Sequence, residues 1–257
     1  MRVFLTGGSG FVGSAVVAEI LRRGHEVVGL ARSDAAAEVL HRAGARNLPG
    51  DLFDLDALSR GARDADAVVH TAFDHDFSRM AQNCETDRRA IEALGGALAG
   101  TGKRLIVTAG LPPVAGRPSR ETDVPPEDGK GHPRVSEPAA LAFAERGVHV
   151  TVVRMAQVHD RRKQGFASYL MAHAAERGVS AYVGAGTNRW PAIHRLDTAH
   201  LYGAVLGHGS PGNRYHAVSE QGVTVKAIAE AIGTRLGFPV RSLAEDESAD
   251  HFGWLDP

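Results

Sequence analysis

An α/β fold built on a doubly wound parallel sheet is predicted for this chain, and three observations predict it. Strand-like and helix-like runs alternate from the third residue onward, a glycine-rich turn joins the first strand to the first helix, and Leu105-Ile106-Val107 is apolar without interruption. Alternation of this kind builds βαβ units, and strands buried on both faces of a sheet lose the polar half of their pattern.

Taken in order, Val3-Phe4-Leu5 reads as the first strand, a helix follows over about residues 11–23, and residues 26–30 form the second strand. A helical stretch at 34–43 leads to a short run at 46–49, and a short helix near 54–61 leads to Ala67-Val68-Val69-His70. A long helix over about 78–99 precedes a fifth strand at 104–108. Between 110 and 133 proline, glycine and charge dominate, which marks a loop long enough to carry function. Helix resumes at 134–146, and a sixth strand follows at 148–153. Beyond it the alternation weakens into a helix at 165–176, a brief strand at 181–183, a helix at 197–206 and an amphipathic helix at 223–236. These elements predict a main domain over residues 1–160, with residues 193–206 packing back on it, and a small substrate-binding lobe over 161–257.

Composition narrows the function. With 29 basic and 30 acidic residues the formal charge is −1, so no overall field favours nucleic acid or an anionic membrane. Residues 3–18 carry no charge, yet four glycines interrupt them and the run is too short to span a bilayer. Cys84 is the single cysteine and cannot form an internal disulfide, which points to a reducing, cytoplasmic setting.

Thr6-Gly7-Gly8-Ser9-Gly10-Phe11-Val12-Gly13 stands where a strand gives way to a helix, the context that a dinucleotide-binding turn requires. Glycine permits the tight turn and lets backbone N–H groups approach a pyrophosphate, whose charge the helix N-terminus stabilises. The main domain is accordingly expected to be of Rossmann type. Arg32, at the end of the second strand, lies nineteen positions beyond Gly13, close to the roughly 20 at which the ribose-reading residue falls. An arginine there accommodates a 2′-phosphate, so with Ser33 it favours NADP(H) over NAD(H); the other reading is a solvated surface arginine. Asp34 is placed as the cap of the next helix. Asp51-Leu52 either contacts adenine or caps a turn, and His70-Thr71-Ala72 ends the fourth strand, where a cofactor lies against backbone.

These residues, with Asn83, Arg154 and Val158-His159, resemble the extended short-chain dehydrogenase/reductase superfamily, which includes the NAD-dependent epimerases and dehydratases. The segment from Tyr182 through Gly184-Ala185-Gly186 and Arg189-Trp190 to Asp197 is similar to the substrate lobe of an atypical bacterial branch. The resemblance implies hydride chemistry carried by a Tyr-x-x-x-Lys pair, with a hydroxyl at the end of the fifth strand. The chain departs from that pattern. No tyrosine lies between Phe73 and Tyr169, Tyr169 is followed at the fourth place by His173, and the expected position reads His132-Pro133-Arg134-Val135-Ser136-Glu137. The resemblance also implies a homodimer through the helices at 78–99 and 134–146, and a further C-terminal segment beyond Asp256-Pro257.

The candidate donors are then Thr108, His132, Arg134 and Ser136, followed by His159; Arg134 and Ser136 sit where a helix begins, and the favoured reading of Ser136 there is a cap. Phe73, Tyr182, Arg189 and Trp190 are the candidate substrate contacts, with Trp190 as a core residue the other reading. Asp74-His75-Asp76 has metal-ligand types, but three adjacent residues cannot face one ion, and no metal is expected. The expected function is an NADP(H)-dependent oxidoreductase acting on a small organic carbonyl or imine. The alternatives are an NADP(H)-binding regulator and an epimerase or dehydratase that recycles its cofactor.

Overall fold

The structure is a computed structural model that describes residues 1–112, 114, 116–124 and 134–255. The elements run β1 (Arg2–Thr6), α1 (Phe11–Arg22), β2 (Glu26–Ala31), α2 (Asp34–Arg42), β3 (Arg46–Pro49), α3 (Leu55–Arg63), β4 (Ala67–His70), α4 (Met80–Leu98), β5 (Arg104–Gly110), α5 (Ser136–Leu141) and β6 (His149–Met155). They continue with β7 (Gln157–His159), α6 (Ala167–Arg177), β8 (Ser180–Val183), β9 (Arg189–His194), α7 (Arg195–His208), β10 (Arg214–Ala217), β11 (Glu220–Thr224), α8 (Val225–Leu236), β12 (Val240–Leu243) and α9 (Glu245–Phe252). The chain forms two compact units, one of Met1–Met155 with Leu196–Ala217, the other of Ala156–Arg195 with Val218–Pro257.

The first unit is the Rossmann-type sheet expected from the alternation. Seven strands, every neighbouring pair parallel, lie in the order β10-β6-β5-β4-β1-β2-β3. The order reverses between β1 and β4, and in open α/β sheets that crevice at the carboxyl ends of the strands is where ligands bind. Phe4, Val68, Leu105, Val107 and Val150 from the strands pack against Leu58, Ile91, Leu94 and Phe143, all buried.

Several boundaries differ from the sequence reading for local reasons. The long helix opens with a 3₁₀ turn over Phe77–Arg79, capped by Asp76, and becomes α-helical only at Met80. The helix expected over 134–146 is two pieces, α5 and a 3₁₀ turn over Ala144–Arg146 that ends at left-handed Gly147. Ser33, rather than Asp34, caps α2, its hydroxyl accepting from the Ala36 amide at 3.3 Å. Strand β10, unforeseen in the sequence, adds the seventh strand at one edge, where Glu121 accepts the His216 amide at 2.7 Å.

A buried ion cluster docks the start of α5 to β6. Arg154 is fully buried and makes a two-pronged bond to Glu137 at 2.8 Å on each side, while Arg214 reaches Glu137 Oε1 at 2.5 Å. The Arg154 guanidinium also donates to the carbonyls of Arg120, Glu121 and Asp123, which ties down that part of the long loop. Burial pushes the Glu137 carboxyl up, but Arg154 and Arg214 outweigh it and hold the group below its ordinary range.

The second unit holds a three-stranded sheet in the order β11-β9-β7 and a parallel pair, β8 with β12. Its core is Leu170, Ala174, Ala181, Ile232, Leu243, Phe252 and Leu255, with Trp190 packed against it. Val223, expected to be helical, lies in β11, and α8 begins two residues later behind the Thr224 cap. No helix among the described residues is long and apolar enough to cross a membrane.

Replacing Glu137 by alanine leaves Arg154 buried without its carboxylate. Loss of one partner of a buried pair costs about 3–5 kcal/mol, and urea unfolding of Glu137→Ala should show a deficit of that size.

Candidate functional site at the β1/β4 switch point

The turn after β1 is built with no room for side chains at two places. Gly7 has φ +78°, and a Cβ there would lie 2.7 Å from the Ala72 amide nitrogen; a Cβ on Gly13 would lie 2.0 Å from the Gly7 carbonyl oxygen. The chain therefore closes against both the helix and the segment after β4. The Gly10 amide donates to the Gly7 carbonyl at 2.9 Å, and Gly10 caps α1 without a side chain. The amides of Val12 and Gly13 in the first turn have no intrahelical acceptor, which leaves them for an anion. Gly8 packs on Leu40, Ser9 is exposed, and Phe11 is half-buried at the helix start.

At the ends of β2 and β3 lies a pocket of about 340 Å³ bounded by Arg32, Ser33, Asn47, Gly50, Asp51 and Asp54. Arg32 is exposed on its wall. Asp51 Oδ1 accepts from the amides of Phe53 at 2.8 Å and Asp54 at 3.1 Å, so it organises the turn whose backbone forms the pocket rim. Leu52 packs onto the core.

Between β4, β5 and α5 runs a continuous polar chain inside the unit. Thr6 Oγ1 and His70 Nδ1 are 2.8 Å apart, and His70 Nε2 donates to Asp87 Oδ1 at 3.1 Å. The other Asp87 oxygen accepts a short hydrogen bond from Ser136, and the Ser136 oxygen accepts from Arg134 Nε at 2.7 Å. Arg134 Nη2 donates to the Thr108 carbonyl at 3.2 Å, and the guanidinium lies 4.2 Å from the centre of the Phe73 ring. Burial acts to raise the Asp87 pKa; the contacts to His70, Arg134 and Ser136 outweigh it and hold the carboxyl below its ordinary value.

The structure thus brings Thr108, Arg134, Ser136 and Phe73 together, with different roles for their atoms. The Thr108 hydroxyl is buried, donating to the His70 carbonyl at 2.8 Å and meeting the Tyr202 hydroxyl at 2.5 Å, so Thr108 enters the site through its carbonyl. Ser136 is the first residue of α5 and the cap is Val135, which removes the capping reading. The His70 ring points into the core, while Thr71 donates to the Thr6 carbonyl at 2.7 Å and Ala72 lies against Gly7. His132 lies outside the described residues.

Tyr182, Arg189, Trp190 and His159 belong to the second unit. There Lys226 Nζ sits 5.7 Å from the Tyr182 ring centre, Arg189 donates to the Gly222 carbonyl at 2.8 Å, and Trp190 meets Phe166 edge-on at 6.0 Å. His159 bonds Glu220 at 3.0 Å. Asp74 and Asp76 both pair with Arg79, and Asn83 donates to their carbonyls. Among the described residues no group of three or more His, Cys, Asp or Glu side chains is placed to hold a metal ion.

Asp87 is the site residue that sequence reasoning missed. Its signal was present: it occupies the buried stripe of α4 with Cys84, Ala90, Ile91, Leu94 and Leu98, and an acid on an apolar helix face needs partners.

A parallel sheet with a glycine turn at its switch point, and a polar cluster at the neighbouring strand ends, defines a dinucleotide-binding protein of the Rossmann class. The model of the NAD dependent epimerase/dehydratase family matches residues 3–218, and the chain belongs to that family. It is 45% identical over 261 residues to the uncharacterized protein YLL056C of Saccharomyces cerevisiae, covering 99% of this chain and 87% of that protein. A stretch of 71 residues is 39% identical to a decarboxylating sterol-4-alpha-carboxylate 3-dehydrogenase of Dictyostelium discoideum, covering 28% of this chain and 22% of that enzyme. The fold is similar to that of the dTDP-glucose 4,6-dehydratase DesIV of Streptomyces venezuelae, solved with NAD and TYD bound, with TM-score 0.77, 22% identity, and coverage of 95% of this chain and 84% of that one.

Asp87→Asn should lower stability by about 1.5–3 kcal/mol, the worth of hydrogen bonds to a charged group. Because the folded-state pKa is depressed, the wild-type contribution is present above the unfolded value near 3.9 and fades as pH falls toward the folded one. Denaturation across that range should therefore show the gap between wild type and variant closing in acid.

Proposed function

We propose that the chain is an NADP(H)-dependent oxidoreductase acting on a small organic carbonyl or imine, with NAD(H) the other dinucleotide its site accommodates. The observation that carries the reading is the pairing of the Gly7–Gly13 close approach with a pocket walled by Arg32 and Ser33. The amides of α1 fit a pyrophosphate, and the exposed guanidinium fits a 2′-phosphate. When bound, the nicotinamide supplies hydride chemistry; the protein's share is to hold it and to polarise the substrate. Family membership and the local identity to a dehydrogenase support the same reading.

The polarising group differs from the usual pair. Glu137 stands near the expected lysine position and is held by Arg154 and Arg214, so it has no part in lowering the pKa of a phenol. Arg134 reaches the end of β5 through the Thr108 carbonyl, and Ser136 holds its Nε. That same departure favours, as a second reading, a regulator that binds NADP(H) without turnover. Loss of nicotinamide absorbance with any member of a carbonyl and imine panel supports the enzyme; tight binding with no turnover across the panel supports the regulator.

Arg32→Asp should weaken NADPH binding about tenfold or more, the loss of one charge-assisted contact, while NADH affinity holds or improves. Equal changes for both cofactors, measured by fluorescence titration, would remove Arg32 from the site. Gly10→Val should abolish binding of both, because its side chain occupies the approach to the α1 amides.

A further inference from the structure

Arg134 is held more firmly than its exposure alone would require. Its side chain is 13% exposed; Nε is bonded to Ser136, Nη2 to the Thr108 carbonyl, and the flat face rests on Phe73. Nη1 has no acceptor among the described residues. Its nearest countercharge is Asp87, 3.7 Å from Nε, and that carboxylate is shared with His70 and Ser136. Among the described residues that countercharge sits at the Nε end, and no carboxylate is paired with the Nη1 end.

A guanidinium does not give up its proton at any working pH, so this group does not act as a general acid. What it offers is a pair of in-plane N–H donors, and a carboxylate matches such donors at two points. A neutral ligand would leave part of a mostly buried cation without a partner, which is costly. The anchoring by Ser136, Thr108 and Phe73 means that little side-chain freedom is lost when the anion arrives. The group also stands at the carboxyl ends of β4 and β5, on the side of the sheet where ligands of this architecture bind.

We propose that Arg134 is the receptor for a carboxylate on the substrate, so that the compound this protein acts on is an organic acid carrying its reactive carbonyl or imine close to the acid group. Asp87, Ser136 and the Thr108 carbonyl are positioning groups for that guanidinium. The inference rests on the oxidoreductase reading only for the reaction; the anion site itself stands without it.

The test uses oxalate as an acidic probe and oxamide as its neutral counterpart, titrated calorimetrically into the purified full chain with and without NADPH. Wild type should bind oxalate and not oxamide. Arg134→Leu should weaken oxalate at least tenfold, and Arg134→Lys should fall between. NADPH affinity should stay within about twofold in Arg134→Leu. Should that variant fail to fold, Arg134→Lys and the oxalate/oxamide contrast in wild type decide. Equal oxalate binding by wild type and variants, no oxalate binding by wild type in either state, or parallel loss of NADPH affinity each overturns the proposal, the last by giving Arg134 to the cofactor. A wild-type protein that binds oxalate through Arg134 but no NADPH keeps this inference and removes the oxidoreductase reading.

Discussion

An ionised carboxylate taken out of water must be surrounded by donors, and Asp87 is buried in the apolar stripe of the long helix α4. Its two oxygens reach opposite ways, one to His70 at the end of β4 and the other to Ser136 at the start of α5. That single requirement brings together three elements far apart in sequence. Glu137, the next residue after Ser136, repeats the demand toward β6 through Arg154. A short helix of six residues, weak by itself, is thereby docked by two buried charges at its first turn.

The same chain of contacts reaches the phosphate-binding turn. Thr6 closes β1 and meets His70, while the backbone of Thr71 and Ala72 packs where Gly7 lacks a side chain. Thus the turn that offers amides and the guanidinium that offers in-plane donors belong to one connected framework. Cys84, on the same helix face as Asp87, is buried, and desolvation pushes its thiol up, so it adds packing to that framework and no reactive sulfur.

Among the first six strands, β1, β2, β4, β5 and β6 were legible because each carries a run of buried apolar residues, whereas β3, with no buried residue, was legible only from its place between two helical stretches. The glycine turn was legible because its spacing expresses a steric need. Strands β7, β9 and β11 were not, since they are three to six residues long and mostly half-exposed, so they leave almost no hydrophobic period to read. At the site, Arg134 and Ser136 could be placed near the cleft from their position after the loop. They bond each other directly, but what anchors the pair is Asp87, a contact across 49 residues from Asp87 to Ser136 that no local pattern encodes. Thr108 shows the complementary failure, since its residue type suggested a hydroxyl donor while packing turned that hydroxyl to Tyr202.

The two margins of the seven-stranded sheet carry a consequence for behaviour in concentrated solution. At one, β3 is four residues long, begins with Arg46 and ends with Pro49, which has no N–H to offer. At the other, the backbone donor of His216 in β10 is already taken by Glu121. Both margins are poor templates for an incoming strand from another molecule, so growth of the sheet from chain to chain is discouraged, and the protein can keep a large parallel sheet without becoming fibre-forming.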